Sequence, residues 1–226
     1  MAAGQTRGVP TLKYEKELWS RGFARVVGVD EVGMAALAGP VVAAACLVTT
    51  DTKLIRAVKD SKLLTRQQRE ELEALIRARV VRVGVGAASV AEIHRLNIYH
   101  ASHVAMQRAL RQIGEYDWVL VDGRRILDPA FAPGKHSEIV KGDTKSFAIA
   151  AASIIAKVTR DRLMTSLSLK YPGYGWEHNA GYPTIDHRTA LRDRGLTPLH
   201  RHDFGTVKLM RAVEHQLSLA LADPQT

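Results

Sequence analysis

Residues 147–158, FAIAAASIIAKV, form a run in which apolar side chains stand at nearly every position. A helix with such a sequence has no polar face, so it must be buried. With 226 residues and 46% apolar content, the chain has enough apolar residues to build the surrounding core. The helical pattern continues to about Lys170, and we therefore predict a long helix over residues 147–170 whose first half is buried.

Apolar stretches between turn residues predict the strands of a sheet. Five strands are expected, over residues 24–30, 41–48, 82–89, 117–123 and 136–143. The first two could pair as neighbours across the loop of residues 31–40.

Capping boxes at Thr65 with Gln68 and at Ser89 with Glu92 begin two helices, which run to about residues 79 and 114. Further helices are expected over residues 184–194 and 207–221. The order of elements predicts an α/β fold, with a sheet of about five strands, flanking helices and a helical C-terminal part.

The chain carries an excess of positive charge, because Lys plus Arg is 32 and Asp plus Glu is 23, which gives a net charge of +9. Such an excess favours a polyanionic partner, nucleic acid first and a membrane surface second. Residues 32–48 carry no charge, but Gly39 and Pro40 interrupt this run. A membrane-spanning helix is therefore not expected.

The single cysteine, Cys46, excludes a disulfide bond within the chain. The first ten residues, MAAGQTRGVP, contain no apolar signal-peptide region. We therefore expect a soluble cytoplasmic protein without a membrane partner.

Carboxylates end three of the predicted strands: Asp30 with Glu31, Asp122, and Asp143. If these strands end together, the acids form a cluster whose mutual repulsion raises their pKa values. A divalent cation removes that repulsion, and ligands that are all oxygen favour Mg²⁺ or Mn²⁺. Two such ions form a phosphodiester-cleaving site. The alternative is that each acid is solvated or caps the next helix, as Asp143 could do for the helix at residue 147.

A set of motifs resembles bacterial ribonuclease HII, the type 2 ribonuclease H. They are, in order, GVDEVG, LAGPVVAAA, DSKLL, VLVDG, VKGDTKSFAIAAASIIAKVTRDRLM, YPGYGW, GYPT and HRHDF. The resemblance covers about residues 25–207. It implies a ribonuclease H-like fold, with a mixed central sheet flanked by helices and a C-terminal helical extension. Residues 1–22 would then be an N-terminal segment, 23–170 the catalytic domain, and 171–226 the C-terminal loop and extension.

The resemblance also implies an activity: cleavage of RNA in RNA/DNA hybrids and nicking on the 5′ side of single ribonucleotides in duplex DNA. The implied catalytic residues, which are also the metal ligands, are Asp30, Glu31, Asp122 and Asp143. Asp30 would bridge two ions, Glu31 and Asp122 would hold the ion that activates water, and Asp143 would hold the other. Hydrolysis would leave a 5′-phosphate and a 3′-hydroxyl.

The loop after the first acids departs from the family pattern. Family members have a Gly-Arg-Gly segment there that surrounds the ribose 2′-hydroxyl, and this chain has Gly33, Met34 and Ala35. Gly33 keeps a permissive backbone, whereas Met34 cannot donate a hydrogen bond or offset a phosphate charge. Either the backbone contacts suffice, or recognition of the ribonucleotide is weakened.

Other substrate contacts follow from the resemblance and from charge. Tyr182 matches the family tyrosine that packs against the nucleotide on the DNA side of the junction. Lys62 fits a phosphate contact, and Lys145 and Ser146, which flank Asp143, could also touch the phosphate backbone. The segment of residues 200–202, His-Arg-His, is expected to face phosphate or solvent.

Three functions are compatible with these features. A metal-dependent ribonuclease HII that acts as a monomer, without an obligate protein partner, accounts for all four acids. A catalytically impaired hybrid-binding protein is the alternative, motivated by Met34 and Ala35. A resolvase or integrase of the same fold is disfavoured by the KGDTKS and GYPT segments.

Overall fold

The computed structural model describes residues 9–123, 126, 131–205 and 207–209. The strands are β1 Val26–Val32, β2 Val41–Val48, β3 Arg82–Ala88, β4 Trp118–Asp122 and β5 His136–Ile139. The α-helices are α1 Lys13–Ser20, α2 Arg66–Arg79, α3 Val90–Ile113, α4 Phe147–Lys170, α5 Trp176–Asn179 and α6 Ile185–Arg194. Single 3₁₀ turns form at Ser61–Leu63 and Gly142–Thr144.

The five strands form one mixed sheet in the order β3-β2-β1-β4-β5. β1 pairs with β2, as the sequence predicted, and the structure shows this pair to be antiparallel; β2 is also antiparallel to β3. β4 is parallel to both of its neighbours, with Val29 of β1 opposite Val121 and Asp122 opposite Ile139 of β5. Because β1, β4 and β5 run in one direction, their carboxyl ends lie at the same edge of the sheet.

Helix α4 has the predicted bounds and packs directly on β1 and β2. Its contact with β1 is close because residue 28 is glycine, where a Cβ would lie 2.1 Å from the carbonyl carbon of Ala148. Helix α3 covers the other face of the sheet, where Gly86 approaches the carbonyl oxygen of Ala105 in the same way. The sheet is therefore enclosed by helices on both faces, and the first half of α4 is buried as predicted.

Both predicted capping boxes are present, at Thr65 before α2 and at Ser89 before α3. Helix α3 is kinked at Asn97, which has a φ of 62°, and the sequence pattern did not predict this kink. Helix α1 lies inside the N-terminal segment, where no element was predicted. The predicted helix over residues 207–221 lies mostly outside the described residues.

The fifth strand is shorter than predicted, and this corrects the position of Asp143. β5 ends at Ile139, because Lys141 adopts a left-handed conformation with a φ of 56°. Asp143 therefore lies in the 3₁₀ turn that follows the strand. It does not cap α4, because Ser146 is the N-cap residue.

The C-terminal part packs against the second half of α4 and against the loop that follows β1. Leu37 and Ala38 of that loop share an apolar cluster with Met164, Trp176 and Leu191. This packing places the segment around Tyr182 beside the carboxyl edge of the sheet. Within the described residues, no helix has the length and apolarity needed to cross a bilayer.

Candidate active site

The predicted acids meet at the carboxyl edge of the sheet. Asp30 and Glu31 lie near the end of β1, and Asp122 is the last residue of β4. These three side chains line a cleft of about 400 Å³, together with Val32, Ser61, Lys62, Ser153, Lys157 and Tyr182. Asp143 stands next to them, with its carboxylate 3.4 Å from the Lys62 Nζ. The fold thus gathers carboxylates that are far apart in the sequence.

Asp30 and Asp143 are buried, Glu31 and Asp122 are half-buried, and their charges repel one another. Burial raises the pKa of Asp30 well above its usual value, and the charges of Glu31 and Asp122 raise it further. Burial, followed by the charge of Asp122, raises the pKa of Glu31 to about 7. The pKa of Asp122 is also raised, by burial and by the charge of Asp143. Each shift indicates that negative charge at this edge is incompletely compensated by the protein.

Two lysines border the acids, but neither neutralises them. Burial alone would lower the pKa of Lys62, yet the charges of Asp143, Asp60 and Asp30 outweigh it and raise that pKa. The Lys62 side chain is 75% exposed, so its attraction to Asp143 is screened by solvent. Lys157 already pairs with Asp161 at 2.7 Å. A net negative charge therefore remains in the cleft.

The donor set fits a hard divalent cation. All four acids offer oxygen ligands, which suit Mg²⁺ or Mn²⁺, and a cation would reverse the repulsion that raises their pKa values. Across the described ranges, no group of three or more His, Cys, Asp or Glu side chains is spaced as a preformed metal site. The acids thus share one cleft without being gathered around one point.

The loop after the acids has a backbone that requires glycine at its first position. Gly33 has a φ of 96°, and a Cβ there would lie 2.4 Å from the Nε atom of Arg160. Met34 is half-buried and packs on the core between the sheet and α3, whereas Ala35 is exposed. The two departures from the family pattern therefore differ, because the Met34 side chain packs on the core whereas Ala35 lies on the surface.

Two fully buried arginines donate hydrogen bonds to the backbone of this loop. Arg160 donates to the carbonyl oxygens of Pro40, Ala38 and Ala180, at 2.9, 3.0 and 2.8 Å. Arg201 donates to the carbonyl oxygens of Gly39, Gly33 and Met34, at 2.9, 2.7 and 3.2 Å. Neither side chain has a carboxylate partner among the described residues. The expected exposure of residues 200–202 is therefore wrong for His200 and Arg201, both of which are fully buried.

Tyr182 and Lys62 stand in the wall of the cleft, as expected for substrate contacts. Cations lie near the Tyr182 ring, with Lys157 Nζ 5.6 Å and Arg160 Cζ 5.4 Å from its centroid. Lys145 is exposed and donates to the carbonyl oxygen of Val140. These positions leave the Tyr182 ring and Lys62 facing the cleft.

Ser146 does not reach the cleft. Its hydroxyl donates to the buried Glu15 carboxylate at 2.6 Å and accepts from the Ile149 backbone at 3.3 Å. Ser146 is fully buried, so its side chain has no face for a phosphate. The structure gives it a capping role for α4 in place of the predicted phosphate contact.

Four residues of the cleft were not predicted from the sequence: Val32, Ser61, Ser153 and Lys157. Two of these, Ser153 and Lys157, stand on α4. They are the polar members of the run FAIAAASIIAKV, four positions apart, and therefore on one helix face. This spacing is the sequence feature that could have identified them as cleft residues. Ser153 hydrogen-bonds to Ser61 at 3.1 Å and to Asp30, whose charged form it favours.

Comparisons with known proteins show the family of this chain. A family model described as ribonuclease HII matches residues 27–207. The ribonuclease HII of Thermosynechococcus vestitus is 49% identical over 194 residues, which are 86% of this chain and 90% of that protein. The sequence similarity thus spans every element that contributes to the cleft.

Solved structures share the architecture. The ribonuclease H2 of Pyrococcus horikoshii superposes with a TM-score of 0.69 at 25% identity, over 85% of this chain and 99% of that one. A Bst-RNase HIII in complex with Mn²⁺ has a TM-score of 0.64 at 20% identity, over 85% and 71% of the two chains. The predicted ribonuclease H-like fold, with its mixed five-stranded sheet, is therefore confirmed.

Proposed function

The chain belongs to the ribonuclease HII family, whose members are endonucleases of RNA/DNA hybrids, and we propose that it also nicks duplex DNA on the 5′ side of a single ribonucleotide. The observation that carries this proposal is the convergence of Asp30, Glu31, Asp122 and Asp143 beside Tyr182. Hydrolysis would leave a 5′-phosphate and a 3′-hydroxyl. The net charge of +9 supports a polyanionic substrate.

In this proposal the four carboxylates hold two divalent cations, Mg²⁺ or Mn²⁺. When bound, such ions lower the pKa of water and stabilise charge on the leaving oxygen. The chain's own part is to keep the acids ionised and in place. Ser153 contributes by hydrogen-bonding to Asp30, because this bond lowers the pKa that burial raises.

Substrate recognition would use the two walls of the cleft. The backbone of residues 33–35 would contact the 2′-hydroxyl, which is the group that distinguishes RNA from DNA. Its carbonyl groups at Gly33 and Met34 are already bound by Arg201, so the loop is positioned without an arginine in the loop itself. Tyr182 would stack on the neighbouring nucleotide, and Lys62 would contact a phosphate.

A second candidate is a hybrid-binding protein with impaired catalysis. Met34 motivates it, because its side chain packs on the core and offers no charge to the substrate. The presence of all four acids favours the enzyme. We further propose that the enzyme acts as a monomer without an obligate protein partner.

One experiment tests both candidates: cleavage of a DNA duplex with one ribonucleotide, beside a uniform RNA/DNA hybrid, in Mg²⁺, Mn²⁺ or EDTA. The enzyme predicts metal-dependent nicking 5′ of the ribonucleotide, with 3′-hydroxyl ends. Tight hybrid binding without cleavage in either metal would establish the second candidate. Cleavage that persists in EDTA would contradict the proposed metal site.

A further inference from the structure

Two fully buried histidines, His187 and His200, lie behind the wall of the cleft. Their Nε2 atoms are 3.2 Å apart, and the aromatic rings of Trp176 and Tyr174 surround them. Neither imidazole touches the acids or lines the cleft. Apolar side chains could fill this space without needing hydrogen-bond partners, so the polar pair requires a physical reason.

The hydrogen bonds of this pair fix where each proton lies. The Thr197 backbone N–H donates to His200 Nδ1 at 2.8 Å, so the proton of neutral His200 is on Nε2. The Trp176 indole, which can only donate, points at His187 Nε2 from 3.1 Å. His187 Nε2 therefore accepts from both Trp176 and His200, and the His187 proton is on Nδ1.

The Nδ1–H group of His187 donates to the backbone carbonyl oxygen of Tyr182, at 2.9 Å. The same carbonyl oxygen accepts from the backbone N–H of Thr184 at 2.8 Å. The backbone N–H of Tyr182 donates to the carbonyl oxygen of Asn179 at 2.9 Å. The backbone of Tyr182 is thus held on both sides. Its ring is left to project into the cleft, beside Lys157 and Arg160.

We propose that His187 and His200 are positioning residues that fix the ring of Tyr182 against the bound nucleic acid. The proposal rests on the role of Tyr182 in the proposed function. The chain of hydrogen bonds runs in one direction, from Thr197 through His200 and His187 to Tyr182, so each donor orients the next group. Burial lowers the pKa of both imidazoles, that of His200 to about 4, which keeps them neutral at physiological pH.

The tautomers can be tested in the unmodified protein. Nitrogen chemical shifts from ¹⁵N-histidine NMR distinguish Nδ1–H from Nε2–H imidazoles. We expect His187 to be the Nδ1–H form and His200 the Nε2–H form at pH 7. A His187 ring protonated on Nε2 would overturn the proposal, because that ring could not donate to Tyr182.

A pair of substitutions tests the effect on the reaction. The amide nitrogen of Asn can replace His Nδ1, and that of Gln can replace Nε2, so His187→Asn keeps the donor to Tyr182 and His187→Gln loses it. We expect His187→Gln to lower kcat/KM for a single-ribonucleotide duplex by about two- to tenfold, the effect of one hydrogen bond. His187→Asn should stay nearer to the wild type. The control is His178→Gln, at an exposed histidine of the same region.

A double-mutant cycle with Tyr182→Ala separates positioning from general stability. If His187 acts through Tyr182, adding His187→Gln to Tyr182→Ala causes no further loss of kcat/KM. Losses that multiply, or equal losses for the Asn and Gln variants, would refute the positioning role while leaving the role of Tyr182 intact. A Tyr182→Ala enzyme with full activity would instead remove Tyr182 from the proposed function, and the positioning proposal with it.

Discussion

The acids of the cleft, which are buried or half-buried, and the fully buried arginines of the neighbouring loop differ in their partners. Asp30 and Glu31 face other carboxylates, and their pKa values are raised. Arg160 and Arg201 face backbone carbonyl oxygens and together make six hydrogen bonds to them. Burial lowers the pKa of Arg201, with help from the charge of Arg160, to about 9, so it remains charged at neutral pH.

This difference separates a structural charge from a functional one. A buried charge is costly unless the protein supplies partners. The fold supplies them to the arginines, which therefore hold the loop of residues 33–40 in one conformation. The acids are compensated only in part, by Ser153 at Asp30 and by Lys62 at Asp143, and a bound cation would supply the remaining positive charge.

The largest effect is expected from Asp122→Asn, which removes a ligand charge at nearly constant size. Turnover on both substrates should fall to background, because a neutral amide is a poor ligand for a hard cation. Without metal, the variant should be at least as stable as the wild type, since one repulsive charge is gone. Activity assays with thermal melts in EDTA measure both; full activity in the variant would exclude the four-acid site.

A substitution in the buried arginine pair should instead lower the stability of the fold. Arg201→Lys replaces a planar fork by a point charge that cannot reach three carbonyl groups at once. We expect the free energy of unfolding to fall by about 2–4 kcal/mol, because buried acceptors lose their donors. The control is Arg192→Lys, at an exposed position, where a change under about 0.5 kcal/mol is expected. Equal urea midpoints for the two variants would show that the loop does not depend on Arg201.

The pH dependence of stability provides a third comparison. The pKa of Glu31 is about 7 in the folded protein, against 4.5 for an unperturbed glutamate. Between these values the folded state binds more protons than the unfolded state, so stability falls as pH rises. Relative to Glu31→Gln, the metal-free wild type should lose at most about 3 kcal/mol between pH 4.5 and 7.5. Urea unfolding in EDTA measures this, and Mg²⁺ or Mn²⁺ should restore the loss; a constant difference between the two proteins would contradict the buried repulsion.

The smallest effect concerns Met34. Met34→Arg with Ala35→Gly restores the family pattern, and the longer charged side chain would have to leave the apolar contact of Met34 to reach the substrate. Cleavage at a single ribonucleotide should rise about tenfold relative to cleavage of a long hybrid, the value of one charge-assisted hydrogen bond. The enzyme can bind a long hybrid in many registers, so one added contact changes the rate of hybrid cleavage less. The ratio of specificity constants is the measurement, and an unchanged ratio would mean that the loop acts through its backbone alone.

Much of the fold was predictable because its signals are local. The bounds of α4 follow from its apolar run, and the starts of α2 and α3 follow from capping boxes. The left-handed residue Lys141, which ends β5 early, was not predictable because lysine carries no preference for that conformation. The position of Asp143 was therefore wrong in detail, although its place at the carboxyl edge was expected.

The acids of the site were predictable, whereas their surroundings were not. Carboxylates at strand ends have a recognisable pattern, and the family motifs strengthened it. The partners of Arg160 and Arg201 are backbone carbonyl groups, which every residue carries and which leave no trace in a sequence. The same holds for His187 and Tyr182, which meet through a carbonyl oxygen. Sequence thus indicates which groups react, while the groups that orient them emerge only from the folded chain.

The parallel pairing of β1 with β4 has a consequence for folding kinetics. Val29 lies opposite Val121, although β2, α2, β3 and α3 all lie between these two residues in the sequence. Antiparallel β1, β2 and β3 can associate through nearer neighbours, whereas β4 must close a long loop, and such non-local contacts form slowly. Asp122 arrives with β4, so a chain with an early three-stranded sheet holds only Asp30 and Glu31. During refolding, nuclease activity should consequently appear later than the helical signal in circular dichroism.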